Sequence, residues 1–141
     1  MRDVDADFLA LPLHALADGA LTAARAAGAT HADLRVHRVL TQSLQLRDGA
    51  LQSAVDGRAV GLAVRVVVDG TWGFASGAGL RVDDAVAVAS AAVRVALALR
   101  DLNRDPVVLA PEPVYENAVR VSDYAIDPFT VPTAEKTDLL A

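Results

Sequence analysis

His31, Asp33 and His37 fall on one face of the alternating run HADLRVHRV, and imidazole and carboxylate are groups that zinc accepts as ligands. Their spacing argues against a shared ion, because six strand residues separate the two imidazoles by ~20 Å. Both histidines are therefore expected to be solvated strand residues. His14 stands alone early in an apolar-periodic segment and is expected at the surface. Asp83 and Asp84 could form a general acid and base pair. Their place at the start of a helical pattern points instead to carboxylates that complement the helix dipole. Ser43, Ser53, Ser76, Ser90 and Ser122 include no G-x-S-x-G elbow. Gly77-Ala78-Gly79 is a lone G-x-G with neither a P-loop lysine nor a dinucleotide fingerprint. No catalytic, cofactor-binding or metal-binding residue is assigned.

The stretch VVVDGTWGFASGAGL, Val66 to Leu80, is the least ordinary part of the chain. Asp69-Gly70 sits between two strand-like runs, the chemistry of a type I′ hairpin, in which both loop residues take positive φ. After the turn, Trp72 and Phe74 share one face and Gly73 the other, where a strand glycine marks a bulge or a close backbone approach. Two placements of the aromatic pair compete. In the favoured one they anchor the sheet against a helix, since few other large side chains are available to fill the interior. In the other, Trp72 and Phe74 form an interface with a partner domain or subunit.

The flanking elements must position these residues. Leu13, Leu16, Ala17, Ala20, Leu21 and Ala24 recur at helical spacing, predicting a helix over 12–27 that Gly28 ends, with Gly19 as an interior weakness. From His31 the period becomes two, and strands are expected at HADLRVHRV, SLQLR, ALQSAV, LAVRVVV and the run after Asp69-Gly70. Turns are expected at Asp48-Gly49 and Asp56-Gly57. Ala85, Val88, Ala89, Ala92, Val93, Ala96 and Leu99 predict a second helix over 82–102. The proline-broken segment NRDPVVLAPEPVYENAV reads as an extended connection, followed by a short extended run at Val119 to Val121. TAEKTDLLA reads as a helix opened near Pro132 and cut short, so the chain is expected to be a piece of a longer protein.

Composition narrows the function classes. A chain of 141 residues suits one core, and although 53% of its residues are hydrophobic only 4% are aromatic, so that core must be built from small side chains. Thirteen basic against eighteen acidic residues give a net charge of −5, which disfavours binding to nucleic acid. The absence of cysteine excludes disulfides and thiolate metal sites within these residues and suits a reducing compartment. The start MRDVDADF lacks a basic leader followed by an apolar run, and the apolar stretch Ala85 to Leu99 is shorter than the ~20 residues a bilayer helix needs. A cytoplasmic location without a membrane partner is expected.

The order of segments HADLRVHRVLTQSLQLRDGALQSA, GRAVGLAVRVVVDGTWGFAS, LRVDDAVAVASAAVRVA and DPFTVPTAEKTDLL resembles the N-terminal domain of the TldD/PmbA family of zinc metallopeptidases, formerly called modulators of DNA gyrase. The resemblance runs across most of the chain, and its most telling part is GxxVRVxVDGxWGFAS. It implies a considerably longer parent whose zinc is held downstream by a His-Glu-x-x-x-His helix and a further cysteine. It also implies a partnership of TldD-type and PmbA-type subunits that degrades unfolded peptides. That ligand motif has no counterpart among these residues, so no catalytic residue carries over, and the choice between a TldD-type and a PmbA-type parent stays open.

The expected fold is two-layer α+β: an antiparallel sheet of four to five strands with two main helices packed on one face. Residues 1–128 would form the N-terminal domain, and 129–141 the start of a helix leading to the catalytic region. The expected function is a non-catalytic domain that shapes the substrate chamber and subunit interface of a zinc peptidase, with no cofactor of its own. Its partners would be the rest of the parent chain, a homologous subunit and unfolded peptide. The alternative is a stand-alone interaction module that binds a partner through its sheet edge or hairpin. A small enzyme using Asp33, Asp83 or Asp84 would require one of these carboxylates inside a deep pocket.

Overall fold

The computed structural model describes residues 5–141 and is α+β. The first residues of MRDVDADF, on which the reading of the chain's start rests, lie outside the described part. In chain order the elements are α1 (Ala6–Leu9), α2 (Leu13–Ala26), β1 (His31–Arg47), β2 (Ala50–Val68), β3 (Thr71–Gly77), α3 (Val82–Leu99) and α4 (Thr133–Leu140), with 3₁₀ turns at Arg100–Leu102 and Pro128–Thr130. The strands follow the order β1-β2-β3 in one sheet. Two compact units divide the chain. The larger comprises 5–37 and 60–118, the smaller 38–59 and 119–141.

The sheet has three strands among the described residues, where four to five were expected. The two runs from His31 to Arg47 are one strand of 17 residues, and those from Ala50 to Val68 are one strand of 19. Asp56-Gly57 accounts for the second of these divisions. An Asp-Gly pair makes a turn only where the chain must reverse, as it does at Asp48-Gly49 (φ 51° and 73°) and Asp69-Gly70 (φ 48° and 72°). Asp56-Gly57 takes no such conformation, and the strand passes through it. Residues 103–127, which include Val119 to Val121, carry no regular element.

In the larger unit α2 and α3 pack on one face of the sheet. The buried cluster joins Leu16, Ala20 and Ala24 of α2, Leu62, Val64, Val66 and Val68 of β2, and Ala85, Ala89, Ala92, Val93 and Ala96 of α3. Small residues do this because they let backbones approach. A Cβ at Gly19 would lie 2.8 Å from the Val82 side chain, so the residue that weakens α2 in isolation lets it close on α3. Gly73 is tighter still. Its added Cβ would overlap the Ala92 carbonyl oxygen and come within 2.8 Å of the Ala96 nitrogen. α3 begins with Asp83 and Asp84 in its first turn, and the Asp84 carboxylate accepts from the Arg81 backbone N–H at 3.0 Å. Its last expected turn, 100–102, tightens into 3₁₀ geometry.

In the smaller unit, residues 38–47 and 50–59 lie on either side of the Asp48-Gly49 turn, and α4 opens after Pro132 as the sequence predicts. Lys136 donates to the Gln42 side-chain oxygen, and the Gln42 amide donates to Asp56 at 2.9 Å. A groove of about 410 Å³ is lined by Gln42, Leu44, Pro128, Phe129, Lys136 and Leu139.

Candidate functional site

Strand alternation sorts the residues of the larger unit onto two faces. β2 and β3 are antiparallel, with Val68 opposite Thr71, Val66 opposite Gly73 and Val64 opposite Ala75 on the helix side. Val67 opposite Trp72, and Arg65 opposite Phe74, fall on the other side. Trp72 and Phe74 therefore face away from α2 and α3, and their placement as anchors against a helix is corrected. Gly73 determines this outcome: α3 approaches so closely that only a hydrogen fits on its side, and the large rings go to the opposite one.

On that open face the side chains form a connected cluster. Asp33 Oδ2 accepts from Arg65 Nε at 2.9 Å and lies 3.4 Å from His31 Nε2. The Arg65 guanidinium carbon stands 4.7 Å from the centroid of the Trp72 ring, within cation–π range. The His31 ring meets Trp72 edge-on, with centroids 6.0 Å apart and planes at 88°. Val67 is buried on this side, and Thr30 donates both its N–H and its hydroxyl to the Val67 carbonyl, at 2.9 and 3.1 Å. Phe74 is 58% exposed and the Arg65 side chain 53%. The terminal guanidinium nitrogens of Arg65 have no protein partner among the described residues. Arg35 and His37 continue the same face along β1 and are exposed, as the packing of Ala32, Leu34 and Val36 on the core side requires.

The other sequence candidates separate. His37 is exposed and six residues along from His31, and His14 is exposed on α2. Asp33 is not deep in a pocket but paired with Arg65 at the surface. Asp83 is solvated and Asp84 caps α3, so the adjacent carboxylates serve the helix start. The space a Cβ would take at Gly79 is filled by the Asp84 carboxylate, which would repel any phosphate brought to Gly77-Ala78-Gly79. The Ser90 hydroxyl donates to the Val86 carbonyl one helical turn back. Among the described residues no group of three or more His, Cys, Asp or Glu is placed to hold a metal ion. Zinc does not fit these residues: the strongest pair, His31 and Asp33, is engaged with Trp72 and Arg65.

One arrangement was invisible in the sequence. The Asn103 side chain donates to the Gly70 carbonyl at 2.9 Å and to the Thr71 hydroxyl at 3.0 Å, and the Val107 N–H donates to the same carbonyl at 2.8 Å. Arg100 lies 3.4 Å from Asp69. The hydrogen bonds that Arg100 donates to Asp69 and Asp101 raise its pKa above the ordinary value. The chain after α3 thus straps the tip of the β2–β3 hairpin. The only signal was an Asn within a proline-broken segment, which carries no pairing information.

The open face is a solvent-facing ledge on an α+β domain whose other face is sealed by two helices. Comparison with known proteins places such a domain. Residues 32–96, from β1 into α3, match the family model described as PmbA/TldA metallopeptidase domain 1. A protein of Methanothermobacter thermautotrophicus named as a metalloprotease is 33% identical over 112 residues, which cover 79% of this chain and 23% of that protein. The chain thus carries an N-terminal domain of the TldD/PmbA family. It spans less than a quarter of the curated relative it matches. Among the described residues no helix is long and apolar enough to cross a membrane.

Proposed function

We propose that this chain is the non-catalytic N-terminal domain of a TldD/PmbA-type zinc metallopeptidase that degrades unfolded peptides in the cytoplasm. Residues 1–128 form the domain, and 129–141 lead towards the region that supplies the zinc ligands. The observation that carries this reading is the match of residues 32–96 to the first domain of a metallopeptidase family. The likeness to a protein named as a metalloprotease supports it.

The domain's part in that activity is contact. Trp72 and Phe74, held on the open face, help shape the substrate chamber and the interface with a homologous subunit. Aromatic and arginine side chains supply most of the energy of such contacts, and Arg65 lies against the same ring. A second reading, an interaction module using its sheet edge, is favoured by one observation: β3 pairs with β2 only from Leu62 onward, although β2 starts at Ala50.

The test is peptide hydrolysis with casein and zinc. The purified 141-residue chain is expected to cleave nothing, and the full-length parent is expected to cleave in a zinc-dependent way. Zinc-dependent cleavage by the 141-residue chain alone would overturn the non-catalytic assignment.

A further inference from the structure

The open face has a chemistry of its own, different from that of the rest of the chain. Among the described residues, Arg35 and Arg65 stand on it beside the carboxylate of Asp33, whereas the chain as a whole carries −5. Asp33 engages Arg65 through Nε alone. That bond and the Trp72 ring hold the guanidinium from two sides while its terminal N–H groups stay available. A guanidinium so held has little conformational freedom left to lose, and its fork matches a carboxylate in two parallel hydrogen bonds.

The spacing of the face also selects a shape of ligand. Trp72 and Phe74 on β3, and His31, Asp33, Arg35 and His37 on β1, repeat every second residue, about 7 Å apart. Alternate side chains of an extended peptide repeat at the same interval.

We propose that the open face of the sheet in the larger unit binds an extended, carboxylate-bearing peptide segment, with Arg65 as the anion anchor and Trp72 and Phe74 as its apolar flank. The proposal deepens the peptidase reading and rests on it for the role of that segment as substrate. It assigns to this domain a preference for acidic stretches of unfolded chain.

Trp72 is the sole tryptophan, so its emission reports on this face directly. The experiment titrates the 141-residue chain at low salt with hexaglutamate and, separately, with hexalysine, reading both heat and Trp72 emission. The net charge of the chain alone predicts that hexalysine binds and hexaglutamate does not, so the two accounts differ in sign. Hexaglutamate is expected to bind saturably, change the emission and weaken with added salt. Arg65→Gln is expected to weaken it roughly tenfold, the size of one lost charge-assisted pair. Arg94→Gln, at an exposed position on α3, is expected to leave it unchanged. No heat with hexaglutamate overturns the proposal, as does binding that neither perturbs Trp72 nor responds to Arg65→Gln. Such a failure leaves the peptidase reading standing, because that reading is tested separately, by zinc-dependent cleavage of casein by the full-length parent.

Discussion

The two faces of the sheet in the larger unit are built on opposite principles. On the helix side the fit is one of small surfaces: Gly73, Ala92 and Ala96 meet with no room for another carbon, and the valines of β2 fill what remains. On the open side the large and charged residues gather, with Trp72, Arg65, His31 and Asp33 in mutual contact and Phe74 in solvent. A chain poor in aromatic residues thus holds its core together without its tryptophan and keeps that ring for the surface. Stability should therefore reside on one face and recognition on the other, and each can be perturbed separately.

The largest effect is expected at Gly73. In Gly73→Ala the new methyl would collide with the Ala92 carbonyl and the Ala96 backbone, and rigid backbone cannot yield as a side-chain tip can. Overpacking of this kind costs about 3 kcal/mol or more. Urea unfolding should show a large fall in midpoint or no cooperative transition at all. A near-wild-type midpoint would show that α3 is free to lift from the sheet and that the two faces are not so different.

Val66 stands directly opposite Gly73 and is fully buried. Val66→Ala leaves a cavity where α3 cannot follow, and the loss of its two methyl groups should cost about 2 kcal/mol. At the hairpin tip, Asn103→Ala removes the donor to the Gly70 carbonyl and to the buried Thr71 hydroxyl. The Val107 N–H still serves that carbonyl, so the cost should be about 1 kcal/mol, measured by the same unfolding curve. Hydrogen exchange at Thr71 should quicken if the strap holds the tip closed.

The positions of α2, α3 and α4, the Asp69-Gly70 turn and the division of β3 into an aromatic side and a glycine side were legible in the sequence, because periodicity and turn chemistry are local; the single turn of α1 was not. Which side the helices would take was not legible. The aromatic pair was the obvious core candidate by size, yet a single glycine decided otherwise, since contact distance between α3 and β3 is set by the smaller partner. Asp56-Gly57 misled for a related reason: the pair has turn chemistry, but it lies inside one continuous strand that needs no reversal. His31 and Asp33 were correctly placed on a common face, whereas the link from Asp33 to Arg65 spans 32 residues and needed the register to be seen.

The smallest change in stability is expected at Asp33, and it is the most informative about the open face. Asp33→Asn keeps the shape of the side chain and removes the charge that Arg65 Nε and His31 share. Because the pair is 53% and 38% exposed, water screens it, and the cost should stay below about 1 kcal/mol. Loss of that charge releases the guanidinium from one of its two supports, so Trp72 emission should shift while the unfolding midpoint barely moves. If Asp33→Asn instead destabilised the domain as much as Val66→Ala, the cluster would be a second core, and the open face would owe its composition to folding. A shifted emission with an unchanged midpoint would mean that Asp33, Arg65 and Trp72 are held together for what they contact.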